Sequence, residues 1–195
     1  MMKQMTTMMA LAVAGSLTTH AATYELDLAH STIGFSVRHM MVTSVKGHAK
    51  EFQGVIEFDS ENPTAMTATA EVSVPSIYTA NEKRDDHLRG ADFFDAETYP
   101  AITFVSTGVE GDLPDLTLHG DLTMKGITKK IAIPVEVLGP VVNPWGATVI
   151  GLEGQVTINR QDFGVSWSKA LDGGGVVVGD EVKISIALEA VRKDN

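Results

Sequence analysis

The residues that invite a chemical reading crowd into one stretch, Ser76 to Pro100, SIYTANEKRDDHLRGADFFDAETYP. It carries Glu82, Asp85, Asp86, Asp92 and Asp95 beside His87, with Arg84 and Arg89 among them and Phe93-Phe94 after. Carboxylates next to a histidine are the material of general acid–base catalysis and of metal binding. Neither chemistry finds convergent partners here. On a helix Asp85 and Asp86 point apart, because only residues three or four apart share a face. His30, His39, His48 and His119 show no ligand spacing. Asp27 with Glu153 or Asp162 would make a carboxylate pair, but any acidic chain offers such pairs. No Gly-x-Ser-x-Gly elbow, His-Glu-x-x-His pair or phosphate loop occurs. Gly173-Gly174-Gly175 runs into Val176-Val177-Val178, a strand pattern that presents no helix N-terminus to an anion. The expectation is no catalytic residue, no metal and no cofactor. The alternative is an enzyme for a small apolar or glycan substrate, working through Asp27, His39 or the acids and His87 of residues 81–95.

The elements around this stretch follow from periodicity. Asn81 can cap a short helix over Glu82 to Arg89, with Gly90 as a left-handed stop and Asp92–Asp95 as a second helical turn. Ala80, Arg84, His87, Leu88, Ala91 and Phe94 then fall on roughly one face. Almost everywhere else the chain alternates apolar and polar residues. Ile33, Phe35 and Val37 share one side, as do Ala68, Ala70 and Val72, then Leu116, Leu118, Leu122 and Met124, and finally Val182, Ile184, Ile186 and Leu188. Ala29-His30-Ser31 and His39-Met40-Met41 break the pattern. Val42 to Asp59 reads as one long strand with Gly47 and Gly54 as kinks. Lys125-Gly126 is a hairpin signal, and Pro134 suggests a bulge or an edge. Eight or nine strands result, which implies an all-β, antiparallel sheet with one dry face, closed as an eight-stranded barrel or folded as a sandwich.

Composition narrows the classes. The start, MMKQMTTMMALAVAGSLTTHA, has one basic residue and a short apolar run, with Thr19 and Ala21 at the small positions of a signal-peptidase site. The expectation is a cleavable signal peptide over residues 1–21, export to the periplasm, and one domain over residues 22–195 with no integral membrane anchor. The mature chain of 174 residues would carry a net charge of −11, which argues against nucleic acid as a partner and against binding anionic membrane surfaces by charge. There is no cysteine, so stability rests on a core and not on disulfides.

Longer patterns carry a resemblance. They are Asp27-x-x-His30-Ser31 with Ile33-x-Phe35-x-Val37-x-His39, and Val45-x-Gly47 with Phe52-x-Gly54. They continue with Asn81-x-x-Arg84-Asp85-x-His87-Leu88, Asp92-Phe93-Phe94-Asp95, Tyr99-Pro100-x-Ile102-x-Phe104-x-Ser106, Gly120-x-Leu122-Thr123-x-x-Gly126 and Asn159-Arg160-x-Asp162-Phe163-Gly164. In this order the chain resembles the YceI-like family of exported bacterial proteins over essentially its whole mature length. The resemblance implies an extended, lipocalin-like antiparallel barrel with a short helical insertion around residues 81–96. It also implies an apolar interior that holds a long isoprenoid lipid, of polyprenyl or quinone type.

The residues expected to line that interior are Ile33, Phe35, Val37, Phe52, Ile56, Val72, Ile102, Phe104, Leu118, Leu122, Ile133, Val135, Leu152 and Ile186, all on alternating positions. Leu88, Phe93 and Phe94 join them from the charged stretch, as its gate or floor. Arg38, His39, Arg84 and His87 are the candidates for contact with a lipid head group. The function expected is binding, storage or transport of the lipid in the periplasm, with a homodimer through an edge near Pro134 as a further expectation. A third reading is a stress-induced structural partner with a filled core.

Overall fold

A computed structural model describes residues 21–193, and the expected signal peptide lies almost wholly outside them. The strands are β1 (Ala22–Leu26), β2 (Thr32–His39), β3 (Thr43–Ala49), β4 (Phe52–Phe58), β5 (Thr67–Ser73) and β6 (Ile77–Tyr78). After helix α1 (Glu82–Arg89) come β7 (Ala101–Asp112), β8 (Asp115–Met124), β9 (Ile127–Val142), β10 (Thr148–Asn159) and β11 (Val178–Arg192). All pairings are antiparallel and follow chain order, and β11 returns to β1 and β2.

The short strands are halves of longer ones. β1 and β2 lie end to end along one edge of β11. β4 pairs with β1 while β3 pairs with β2. β5 and β6 do the same against β4 and β3. Counted so, the sheet is a closed eight-stranded antiparallel barrel, in which every edge but a few is paired off.

The three interruptions fall at one level, and side chains tie them. Asp27 Oδ1 accepts the Ala29 N–H, which turns the chain between β1 and β2. Ser31 Oγ both donates to Glu189 O and accepts Glu189 N–H across the gap. Ser76 Oγ accepts the Glu51 N–H and donates to Ser73 O, joining the other two breaks. The long strand expected from Val42 therefore bends at Lys50–Glu51, not at its glycines. Gly47 and Gly54 are there for close approach instead. A Cβ on Gly54 would meet Thr69 O at 2.6 Å.

Beyond this bend β6 is only two residues long, so Thr43–Gly47 of β3 has no strand on its far side. α1 and the turns after it stand in that place. The Asn81 side chain accepts the Arg84 N–H, as a cap should. Gly90 is not a left-handed stop: its φ is −70°, and its N–H bonds Asp86 O and His87 O as the chain leaves extended. Asp92–Asp95 is a set of turns and not a second helix, because the Phe93 and Asp95 N–H groups both go back to Gly90 O, and Asp95 takes φ 52°. Lys125 and Gly126 both have positive φ, the geometry of a tight two-residue hairpin. Pro134 sits where β9 stops pairing with β10, so its missing N–H falls at the end of that ladder.

Two apolar clusters fill the ends of the barrel. Tyr24, Phe58, Met66, Leu116, Ile150 and Ala190 close the end far from α1. Phe93, Leu122, Met124, Ile158, Phe163 and Val165 close the α1 end.

Candidate ligand-binding cavity

Between the clusters lies an apolar cavity of about 410 Å³, within the range of roughly 300–1,000 Å³ usual for small-molecule sites. Alternation makes it. On β11, Val182, Ile184, Ile186 and Leu188 face it in succession, with Val178 beyond a bulge. Two residues of β11 are taken up in the bulge, so from Val178 to Leu188 the strand runs about 26 Å, or about 20 Å along the axis at the tilt of a closed barrel. The wall is thus long enough to lie along an extended chain.

Of the seventeen apolar residues expected at the cavity, all but Phe52 line it. Phe52 is buried but opens β4 directly after the bend at Lys50–Glu51, which takes it out of the wall. Arg38, His39, Arg84 and His87 also lie on the wall. The sequence reading missed several lining residues. Val182, Ile184 and Leu188 carry the same alternation as Ile186 and were legible. Trp167 was not, because it comes from the long connection between β10 and β11, which has no periodicity.

At the α1 end three rings meet. His87 stands edge-on to Phe93 at 4.9 Å and to Trp167 at 5.0 Å, and Phe93 and Trp167 lie 5.3 Å apart. His87 Nε2 is 3.1 Å from Asp92 Oδ2. Arg84 donates to the Thr79 hydroxyl and to Thr79 O. Asp85, buried, accepts the Thr79 N–H and hydroxyl. Asp86 pairs with Arg89. Asp85 thus ties α1 to the chain just after β6, and Asp86 and Asp92 pair within the segment itself.

Arg160, also buried, donates to Val165 O, Val178 O, Gly179 O and Asp180, which pins the β10–β11 connection over the barrel. Burial lowers its pKa, and the Asp180 charge partly opposes that. Arg38 and Arg84 have no carboxylate within 4.0 Å among the described residues.

One cluster was not foreseen. His30 Nδ1 lies 2.9 Å from Asp27 and 3.9 Å from Glu189, at the bend outside the cavity. Asp27–x–x–His30 was visible as a motif, but Glu189 comes from the far end of the chain. The hydrogen bond to Asp27 is the main cause that raises the His30 pKa, and the same bond lowers that of Asp27.

Residues 24–190 match the model of the YceI-like domain. The chain belongs to the YceI-like family. A UPF0312 protein of Staphylococcus aureus strain MSSA476 is 38% identical over 167 residues, 85% of this chain and 95% of that one. Among solved structures, Burkholderia cenocepacia BcnA superposes with a TM-score of 0.74 at 28% identity, covering 84% of this YceI-like chain and 98% of BcnA. A polyisoprenoid-binding domain from Saccharophagus degradans, implicated in plant cell wall breakdown, has a TM-score of 0.66 at 16% identity and shares the fold, with 89% of this chain and 99% of that domain covered. No helix among the described residues is long and apolar enough to cross a membrane.

Proposed function

We propose that this YceI-like barrel binds one long isoprenoid lipid in its cavity and stores or carries it in the periplasm. The observation that carries the reading is the cavity itself: it extends along β11 from Val178 to Leu188 and is lined almost wholly by aliphatic and aromatic side chains. A compact substrate would leave most of that wall bare. The polyisoprenoid-binding domain of the same fold supports isoprenoid over other chains. The residues at 1–21 support export, and Asp85, Asp86 and Asp92 around α1 are engaged in structural bonds, which favours a binding protein over an enzyme.

Burial of prenyl surface gives roughly 25 cal/mol per Å². A chain that buries about 400 Å² gains about 10 kcal/mol, enough to offset much of the cost of association. The polar head then lies at the α1 end, against Arg38, His39, Arg84 and His87, as in a quinone or a polyprenol derivative. Mass spectrometry of the organic extract from natively purified protein tests this. A stoichiometric prenyl lipid is expected. An empty cavity, or turnover of a small substrate that His87→Ala abolishes with binding intact, overturns it.

A further inference from the structure

From Leu28 to Lys50 the chain contains no acidic residue, while it holds Arg38, Lys46 and Lys50. In a protein of net charge −10 this leaves −13 on the rest. The segment is the β2–β3 hairpin. Its tip is Met40, Met41 and Val42, which are 45%, 55% and 80% exposed. The tip is fixed outward: Met40 and Met41 take φ 51° and 62°, Met40 N–H bonds Val177 O, and Val42 N–H bonds His39 O. Arg38 and His39, at the base of the tip, are already on the cavity wall. An apolar tip above a basic stem thus stands at the α1 end of the cavity, where β3 has no neighbouring strand.

We propose that the β2–β3 hairpin docks on an anionic lipid bilayer. Unbranched methionines and a valine suit the interfacial layer of a membrane. Lysines near the surface are each attracted by anionic head groups, an effect confined to about a Debye length. The acidic charge of the far surface is therefore screened from the contact. Of the neighbouring charges, Lys169 and Asp172 offset each other, Asp180 in the β11 bulge beside Arg38 is engaged by Arg160, Glu181 is followed by Lys183, and on the α1 side Asp86 and Asp92 are engaged by Arg89 and His87. The chain's net charge alone argues against such contact; the β2–β3 hairpin itself carries only positive side chains, Arg38 and Lys46 toward its tip and Lys50 at the bend over the Tyr78 ring. Docking here would let a lipid pass between bilayer and cavity without crossing water, and in that respect the inference rests on the lipid-binding reading.

A second exposed apolar site supplies the control. Trp145 is 87% exposed, with Val141 and Val142 beside it, in a stretch without any charge from Val137 to Leu152. It lies at the other end of the barrel and has no charge preference to offer.

The test is flotation of the mature protein with vesicles of phosphatidylethanolamine and phosphatidylglycerol, and with vesicles of phosphatidylcholine alone. Wild type is expected to float with the anionic vesicles and to be released by high salt. Val42→Asp and Lys46→Glu are each expected to weaken binding about fivefold or more, with unchanged thermal melts. Quenching of Trp167 by a prenyl alcohol in vesicle-free buffer, read in a Trp145→Phe background, should be the same in both variants. No flotation, equal flotation on both vesicle types, or loss by Trp145→Ser with the hairpin variants unaffected overturns the docking proposal. Lipid binding in solution that survives such a result leaves the cavity reading standing; loss of that binding in the wild type overturns the cavity reading separately.

Discussion

The Phe35 ring lies across Gly47 of the neighbouring strand, where a methyl group would come within 2.5 Å of its Cζ and 2.8 Å of Thr79 Cγ2. Gly47 is therefore the recess that lets Phe35 lie flat along the cavity wall.

Gly47→Ala should force the ring off the wall or push Thr79 aside. Overpacking of this kind costs about 1–3 kcal/mol. A urea melt is expected to show that loss, together with weaker prenyl-alcohol binding as the ring enters the cavity. Wild-type stability and binding in the variant would mean that the contact yields freely.

Thr79 has a second duty. Its hydroxyl donates to the buried Asp85 and accepts from Arg84, so one oxygen links the helix to the chain just after β6. Thr79→Val keeps the shape and removes the donor. A hydrogen bond to a charged group is worth about 1.5–3 kcal/mol, and a loss in that range is expected in denaturant melts. The tie holds α1 in place, so amide exchange should also quicken across α1 before it does in β7–β9.

Most of the barrel was legible because each strand shows one wet and one dry side. Ile184 against Phe35, or Leu122 against Phe104, obeys a period of two that no loop imitates. The bend was not legible. It depends on Ser31 meeting Glu189 and Ser76 meeting Glu51, contacts between residues distant in the chain, and glycine at 47 and 54 gave a false signal for it. The cavity wall was read through alternation, so the residue it misplaced, Phe52, is the one beside the bend. Trp167 and the Asp27–His30–Glu189 cluster escaped for the same reason: tertiary structure alone brings them to their partners. At the hairpin a sum over the chain hides a segment of opposite sign.

The Asp27–His30 pair should give a measurable pH dependence. Asp27 is held below its usual value of 3.8 and His30 above its usual 6.5. The raised histidine contributes fully below 6.5 and loses its contribution as pH rises through its folded value. The lowered carboxylate contributes above 3.8 and loses its part as pH falls through its own folded value. Between those limits the pair is charged. In Asp27→Asn, an NMR titration of the imidazole should show the His30 pKa fall back toward 6.5, and the melting difference from wild type should shrink as pH rises above the wild-type value. An unshifted titration would show that Glu189, not Asp27, governs the histidine.

Chain length gives the sharpest check on the cavity. Each methylene buried is worth about 0.8 kcal/mol, so each added prenyl unit should tighten binding by at least about tenfold while wall remains to cover. The wall ends after about 20 Å, and there the affinity should level off. A series of all-trans prenyl alcohols, titrated against Trp167 fluorescence in the Trp145→Phe protein, would place the break. Ala70, a small residue on the wall between Val72 and Ala68, sets part of the bore. Ala70→Trp should move the break to a shorter chain with little change in stability, because the added ring enters free space. Affinity that does not depend on length, or a break that Ala70→Trp leaves in place, would mean that the lipid does not lie along this wall.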